Sequence, residues 1–138
     1  YIPSDYVPDS DIRLSLYRRL IGTRSTTHLM EIAAEIADRF GPPPIEVKNL
    51  IGLVDLRLAA HDCWVTGIKY RKSAVTLTFF DKARFDTERI VELVSERPNA
   101  FSLSPDGTLR YRPEQTAGEA LVYDLKNVLQ RLASYVTL

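Results

Sequence analysis

The chain has 138 residues, 45% of them hydrophobic and 26% charged, the make-up of an ordinary globular protein, and at this length it can bury about two-thirds of the surface that it exposes when unfolded. Its 18 basic and 18 acidic side chains cancel, and the split is nearly even along the chain: 7 Lys+Arg against 9 Asp+Glu in residues 1–62, leaving 11 against 9 in residues 63–138. This balance excludes a chain drawn as a whole to nucleic acid or to an anionic membrane, and a lone cysteine, Cys63, excludes an internal disulfide and fits a reducing compartment.

Tyr1 to Asp9, YIPSDYVPD, holds two Ile/Val-Pro steps, each of which pushes the residue before proline towards an extended conformation. The expectation is an extended lead-in over residues 1–10. Ser10 or Asp11 then caps a helix to about Ile21, with Leu14, Tyr17 and Ile21 facing inward and Arg18 and Arg19 outward, ended by Gly22.

The stretch Thr27 to Pro44, THLMEIAAEIADRFGPPP, is the most tightly specified. Leu29, Ile32, Ala33, Ile36, Ala37 and Phe40 recur at three-and-four spacing and line one side of a helix. Glu31, Glu35, Asp38 and Arg39 lie on the other. Ser25, Thr26 and Thr27 supply capping hydroxyls, and Gly41 with Pro42, Pro43 and Pro44 stops the helix. Carboxylates near a helix C-terminus meet the negative end of its dipole, a placement that stability alone does not favour. Two readings stand for this face: a solvated surface on which Arg39 pairs Glu35 at i,i+4, or a contact surface for a partner's arginines, which can take a carboxylate with two charge-assisted hydrogen bonds.

A third helix is predicted from about Ile45 to Asp62, with Val47, Leu50, Ile51, Val54 and Leu58 as its stripe. The period then switches to two. Ile68 and Tyr70 alternate with Lys69 and Arg71, and Val75, Leu77 and Phe79 with Thr76 and Thr78, making a β-hairpin whose turn is Arg71 to Ala74. Asp86 or Thr87 caps a short helix to about Arg97, with Ile90, Leu93 and Val94 inward and Pro98-Asn99 as the stop. A second hairpin follows, Phe101 and Leu103 across Pro105-Asp106-Gly107 from Leu109 and Tyr111. The last helix, about Ala117 to Val136, presents Leu121, Leu125, Val128, Leu129, Leu132 and Val136 on one side. The fold class predicted is α+β: N-terminal helices, then two β-hairpins in a small mixed or antiparallel sheet with interleaved helices, and a long C-terminal helix. With neither repeat nor low-complexity linker, residues 1–138 are read as one domain.

Chemistry-bearing patterns are sparse. Metal sites need clustered ligands, and the chain offers His28, His61 and Cys63. His61-Asp62-Cys63 is consecutive, so its side chains diverge. Glu31 and Glu35 lack a pocket signal for acid/base work, and no glycine-rich phosphate loop or dinucleotide fingerprint occurs. The expectation is a protein that is not an enzyme, with no cofactor, no metal and no small-molecule substrate. Lys69, Arg71 and Lys72, interleaved with Tyr70, are candidates for contact with nucleic-acid phosphates. No run of about 18 apolar residues and no basic-then-apolar leader occurs, so no membrane is expected and the predicted location is the cytoplasm. A chain that begins at Tyr1 rather than Met is read as a piece of something longer.

In order, IPSDYVPD, RLSLYRRL, the helix ending EIADRFGPPP, and VKNLI resemble the C-terminal domain of bacterial transcription-repair coupling factor (Mfd). The likeness is strong over Tyr1 to Asp9, Arg13 to Ile21 and Leu29 to Pro44, and weaker towards the end. The resemblance implies a non-catalytic, autoinhibitory domain of a transcription-coupled DNA repair translocase. Such a domain docks on the UvrB-like N-terminal domain of the same protein, masks UvrA binding and restrains the motor. The parent of that family engages RNA polymerase, UvrA, double-stranded DNA and ATP in nucleotide-excision repair. The charged positions of the family's contact helix map here to Glu35, Asp38 and Arg39, with Glu31 on the same face, and Ala37 stands where the related pattern has a larger apolar residue. The alternative is an accessory DNA-binding module that contacts phosphates through residues 69–72.

Overall fold

In the computed structural model of the chain, which describes residues 1–114 and 118–137, three helices begin where a short polar side chain accepts from amides that have no partner in the first turn. Asp9 accepts from the amides of Asp11 and Ile12 at the head of α1 (Ser10–Ile21), one or two residues before the predicted cap. Ser25 accepts from that of His28 at α2 (Thr26–Phe40). α3 covers Ile45–Asp62. Strands β1 (Val65–Arg71) and β2 (Ala74–Phe79) follow, then α4 (Thr87–Glu96) capped by Asp86, then β3 (Phe101–Leu103), β4 (Leu109–Tyr111) and α5 (Gly118–Ala133). The order is helices, then an antiparallel sheet with an interleaved helix, then a C-terminal helix: the predicted α+β class. The chain divides into two compact units, Tyr1–Leu58 and Ala59–Leu138, with the boundary inside α3.

The first unit is built on aliphatic side chains of four segments. Val7, Leu16, Leu20, Leu29, Ile32, Ile36, Val47 and Val54 are buried in one cluster, and Tyr6, Ile12, Phe40, Ile51 and Leu58 pack against it. α3 uses its predicted stripe. α1 does not: Leu14, Tyr17 and Ile21 are 48%, 42% and 41% exposed, and the buried line is Leu16 and Leu20 with half-buried Ile12. Both sets recur at helical spacing, and the all-aliphatic set faces the core while the one containing Tyr17 stays outside. Ala37 is likewise exposed rather than inward, since three large side chains of α2 already fill the contact.

The lead-in is not extended throughout. Pro3 accepts from the amides of Tyr6 and Val7 in a turn, which drops Val7 and Ile2 into the core and lets the Tyr6 hydroxyl donate to the Gly41 carbonyl at 2.6 Å. The C-terminal end of α2 is thereby tied to the lead-in. Gly41, at φ 87°, takes the left-handed stop that a Cβ would strain, and its amide closes on Ala37.

In the second unit the sheet has the order β1-β2-β4-β3, each neighbour antiparallel. The β1–β2 turn is only Lys72-Ser73, both at positive φ (51° and 63°), the backbone of a type I′ turn whose twist matches the strands. In the second hairpin Gly107, at φ 89°, and Asp106, which accepts from the amide and hydroxyl of Thr108, build the turn. Alternation sends Val75, Leu77, Phe101, Leu109 and Tyr111 to a buried face. Leu93 of α4 and Leu125, Val128, Leu129 and Leu132 of α5 are buried in the same unit. α5 stops at Ala133, short of the predicted Val136, which instead bridges to Phe85; the predicted start at Ala117 lies outside the described residues. Arg131 ties α5 to α4 through Glu96, at 2.8 and 2.7 Å. Cys63 is fully buried, and burial pushes its thiol up to about 11.

Candidate functional site

The outer face of α2 carries Glu31, Glu35, Asp38 and Arg39, as the spacing predicted, and Leu29, Ile32 and Ile36 bury the opposite side in the first-unit core. Their environments differ. Glu35 is taken by Arg19 of α1 in a two-pronged pair, Nη1 to Oε2 at 2.5 Å and Nη2 to Oε1 at 3.0 Å. Arg39, one turn on, lies 3.6 Å from the same Oε2 and packs its guanidinium over the Phe40 ring at 5.0 Å. The hydrogen bond from Arg19 is the largest cause holding the Glu35 carboxyl below the usual carboxylate range, with attraction to Arg19 and then Arg39 behind it; Glu35 in turn raises Arg19.

Glu31 and Asp38 are exposed and belong to no ion pair among the described residues. The available negative charge of this face is therefore Asp38 and Glu31, flanking a Glu35 already bridged within its own unit. Arg19, expected outward beside Arg18, is exposed but engaged by Glu35. The i,i+4 spacing of Glu35 and Arg39 shows in the sequence; the partner from α1 does not, because it depends on how two helices cross.

Lys69 and Arg71 lie on β1 and Lys72 in the turn, all exposed. The structure adds a residue that the sequence reading missed: Arg110 of β4 joins Lys69, Arg71 and Lys72 around a depression of about 330 Å³ that also includes Ala74 and Thr76. Its only signal in the sequence is the alternation Leu109-Arg110-Tyr111, which says that Arg110 faces away from the core but not what it faces. Tyr70, expected to accompany these cations, belongs to the opposite face by alternation.

His28 and His61 are both exposed. His61 lines a shallow hollow with Trp64 and Phe80, whose rings stack at 5.7 Å. The Cys63 sulfhydryl donates to the Ala60 carbonyl at 3.5 Å. Among the described residues no group of three His, Cys, Asp or Glu side chains is placed to hold a metal ion, and no helix is long and apolar enough to cross a membrane.

Comparison with known proteins puts a family to this fold. The transcription-repair-coupling factor of Myxococcus xanthus is 30% identical over 133 residues, 96% of this chain and 11% of that protein. That of Haemophilus influenzae is 30% identical over 111 residues, 80% of this chain and 10% of that protein. That of Escherichia coli K12 is 27% identical over 118 residues, 86% of this chain and 10% of that protein. The chain thus spans about a tenth of the length of these curated relatives. A crystal structure of the C-terminal domain of transcription-repair coupling factor superposes with a TM-score of 0.81 at 16% identity, over 97% of this chain and 86% of that one, which shows that the two share a fold. A family model described as the TRCF domain matches residues 1–90, and the chain belongs to that family.

Proposed function

We propose that residues 1–138 act as one non-catalytic regulatory domain of a transcription-coupled DNA repair translocase, docking on the UvrB-like N-terminal domain of the same protein to mask UvrA binding and to restrain the motor. In this reading the parent, in the cytoplasm, engages RNA polymerase, UvrA, double-stranded DNA and ATP, while this domain contributes binding alone. The observation that supports it most is the pair Asp38 and Glu31, exposed on a rigid helix with no cation of the described residues to satisfy them.

A polar contact of this kind can work as a latch. Each charge pair adds about 0.5–3 kcal/mol depending on its burial, and a tether raises the effective concentration, so that contacts too weak to hold two free proteins hold two parts of one chain yet still open. Arginines of the partner would take Asp38 and Glu31, while Arg39, only loosely held by Glu35, would meet an acid on the partner. The test is a pull-down of the 138-residue chain with the UvrB-like N-terminal domain at low and high salt. Retention at low salt that is lost at high salt is expected; no retention at either removes the latch.

A further inference from the structure

The two hairpins of the second unit gather on one open face of the sheet cations that the sequence scatters. Lys69 pairs with Thr76 and Thr76 with Arg110, so these three residues form a row across β1, β2 and β4. Side chains of paired residues share a face, as do alternate residues along a strand, so Arg71 joins the row's face, and Lys72 in the turn closes the rim of the depression. All four cations are exposed, and none is in an ion pair among the described residues. Like charges on neighbouring strands repel, and no ion pair among the described residues offsets that repulsion. We infer that this face binds the phosphate backbone of a nucleic-acid duplex, without reading its sequence.

The other side chains here choose the occupant. Beside the cations stand Thr76, Thr78 and Ser102, hydroxyls that can donate to phosphate oxygens. An interface between two free proteins, unlike the tethered polar contact proposed for α2, is centred on apolar or aromatic anchors, and a single strand on aromatic rings for its bases. The aromatic residues of these strands, Tyr70, Phe79, Phe101 and Tyr111, all alternate to the opposite face. Strands lie about 4.8 Å apart, so Lys69 and Arg110, two strands apart, are rooted about 10 Å from one another and suit several phosphates of a polymer better than one small anion. This surface is built from other residues than the α2 face, in the second unit, and the inference does not depend on the latch.

The test is fluorescence anisotropy of a labelled duplex of arbitrary sequence, about 20 base pairs long, titrated with the 138-residue chain between about 50 and 200 mM salt. Four phosphate contacts predict binding that weakens about 100-fold over that range. The double variant R71E/R110E should bind at least about 10-fold less tightly with an unchanged circular-dichroism spectrum. Arg110→Ala, which truncates an exposed side chain, should lower the salt slope by about one contact. No binding at the lower salt, an unchanged salt slope in Arg110→Ala, or equal competition by single-stranded DNA or polyglutamate would each overturn the inference.

Discussion

Arg19 of α1 grips both carboxylate oxygens of Glu35 on α2, at 2.5 and 3.0 Å, and this fixes the sign of one pH dependence. Because the hydrogen bond holds the Glu35 carboxyl below its ordinary value of 4.5, the unfolded chain binds the proton more readily than the folded one in the window between the two values, and stability rises with pH there. The contribution is fully present above the ordinary value and is lost as pH falls through the lowered one. Denaturant titrations of wild type and Glu35→Gln should therefore differ by a constant amount at neutral pH, and the gap should close progressively in acid below about pH 4.5. A gap independent of pH would show that the charge pair is not its source.

The proposed docking on the UvrB-like domain should depend on Asp38 more than on Glu35, since Glu35 has its cation already. Asp38→Lys is expected to weaken the isolated contact about 10-fold, equivalent to about 1.4 kcal/mol, and Glu35→Gln by less, as read by calorimetry at low salt. The reverse ranking would place the grip on Glu35 and imply that the partner displaces Arg19.

Tyr111 is 1% exposed and, among the described residues, its hydroxyl has no hydrogen-bond partner, as is true of one oxygen of Asp124. Burial first, and the charge of Asp124 second, push the phenol further above its ordinary range, so it stays protonated. Removing an unsatisfied buried polar group relieves its desolvation cost, and Tyr111→Phe preserves the stack on Phe101 at 5.3 Å. The variant should be more stable by about 1 kcal/mol in thermal or denaturant unfolding. A loss of stability would mean that the hydroxyl finds a partner in solution.

Ser73 sits in the β1–β2 turn at φ 63°, where glycine is the residue that the turn type prefers. Ser73→Gly removes the Cβ strain but adds freedom to the unfolded chain, for a net gain of about 0.5–1 kcal/mol. The melting temperature should rise by about 2–4 °C, leaving Lys72 and the cationic face untouched.

Local signals were legible in the chain: the proline run that ends α2 and opens α3 at Ile45, the Asp86 cap of α4, and the Asp106-Gly107 turn each act over a few residues. The face of α1 was not, because Leu14, Tyr17 and Ile21 keep helical spacing as well as Leu16 and Leu20 do, and the choice is made by packing. The two surfaces were half legible. Glu35 and Asp38 could be placed on one face, and Lys69 and Arg71 on one strand. The partners that change their meaning, Arg19 and Arg110, come from elements whose crossing or register no local pattern encodes.

β2 meets β4 over just three residue pairs, Val75 with Tyr111, Thr76 with Arg110 and Leu77 with Leu109, and this seam is the one non-local join of a sheet otherwise made of hairpins. Distant strands find each other more slowly than hairpins close. During synthesis, the basic turn at Lys72 emerges well before Arg110 does. A nascent chain thus carries three of the four cations on an isolated ribbon, and the complete cationic row comes into being only after the ribosome has delivered the second hairpin.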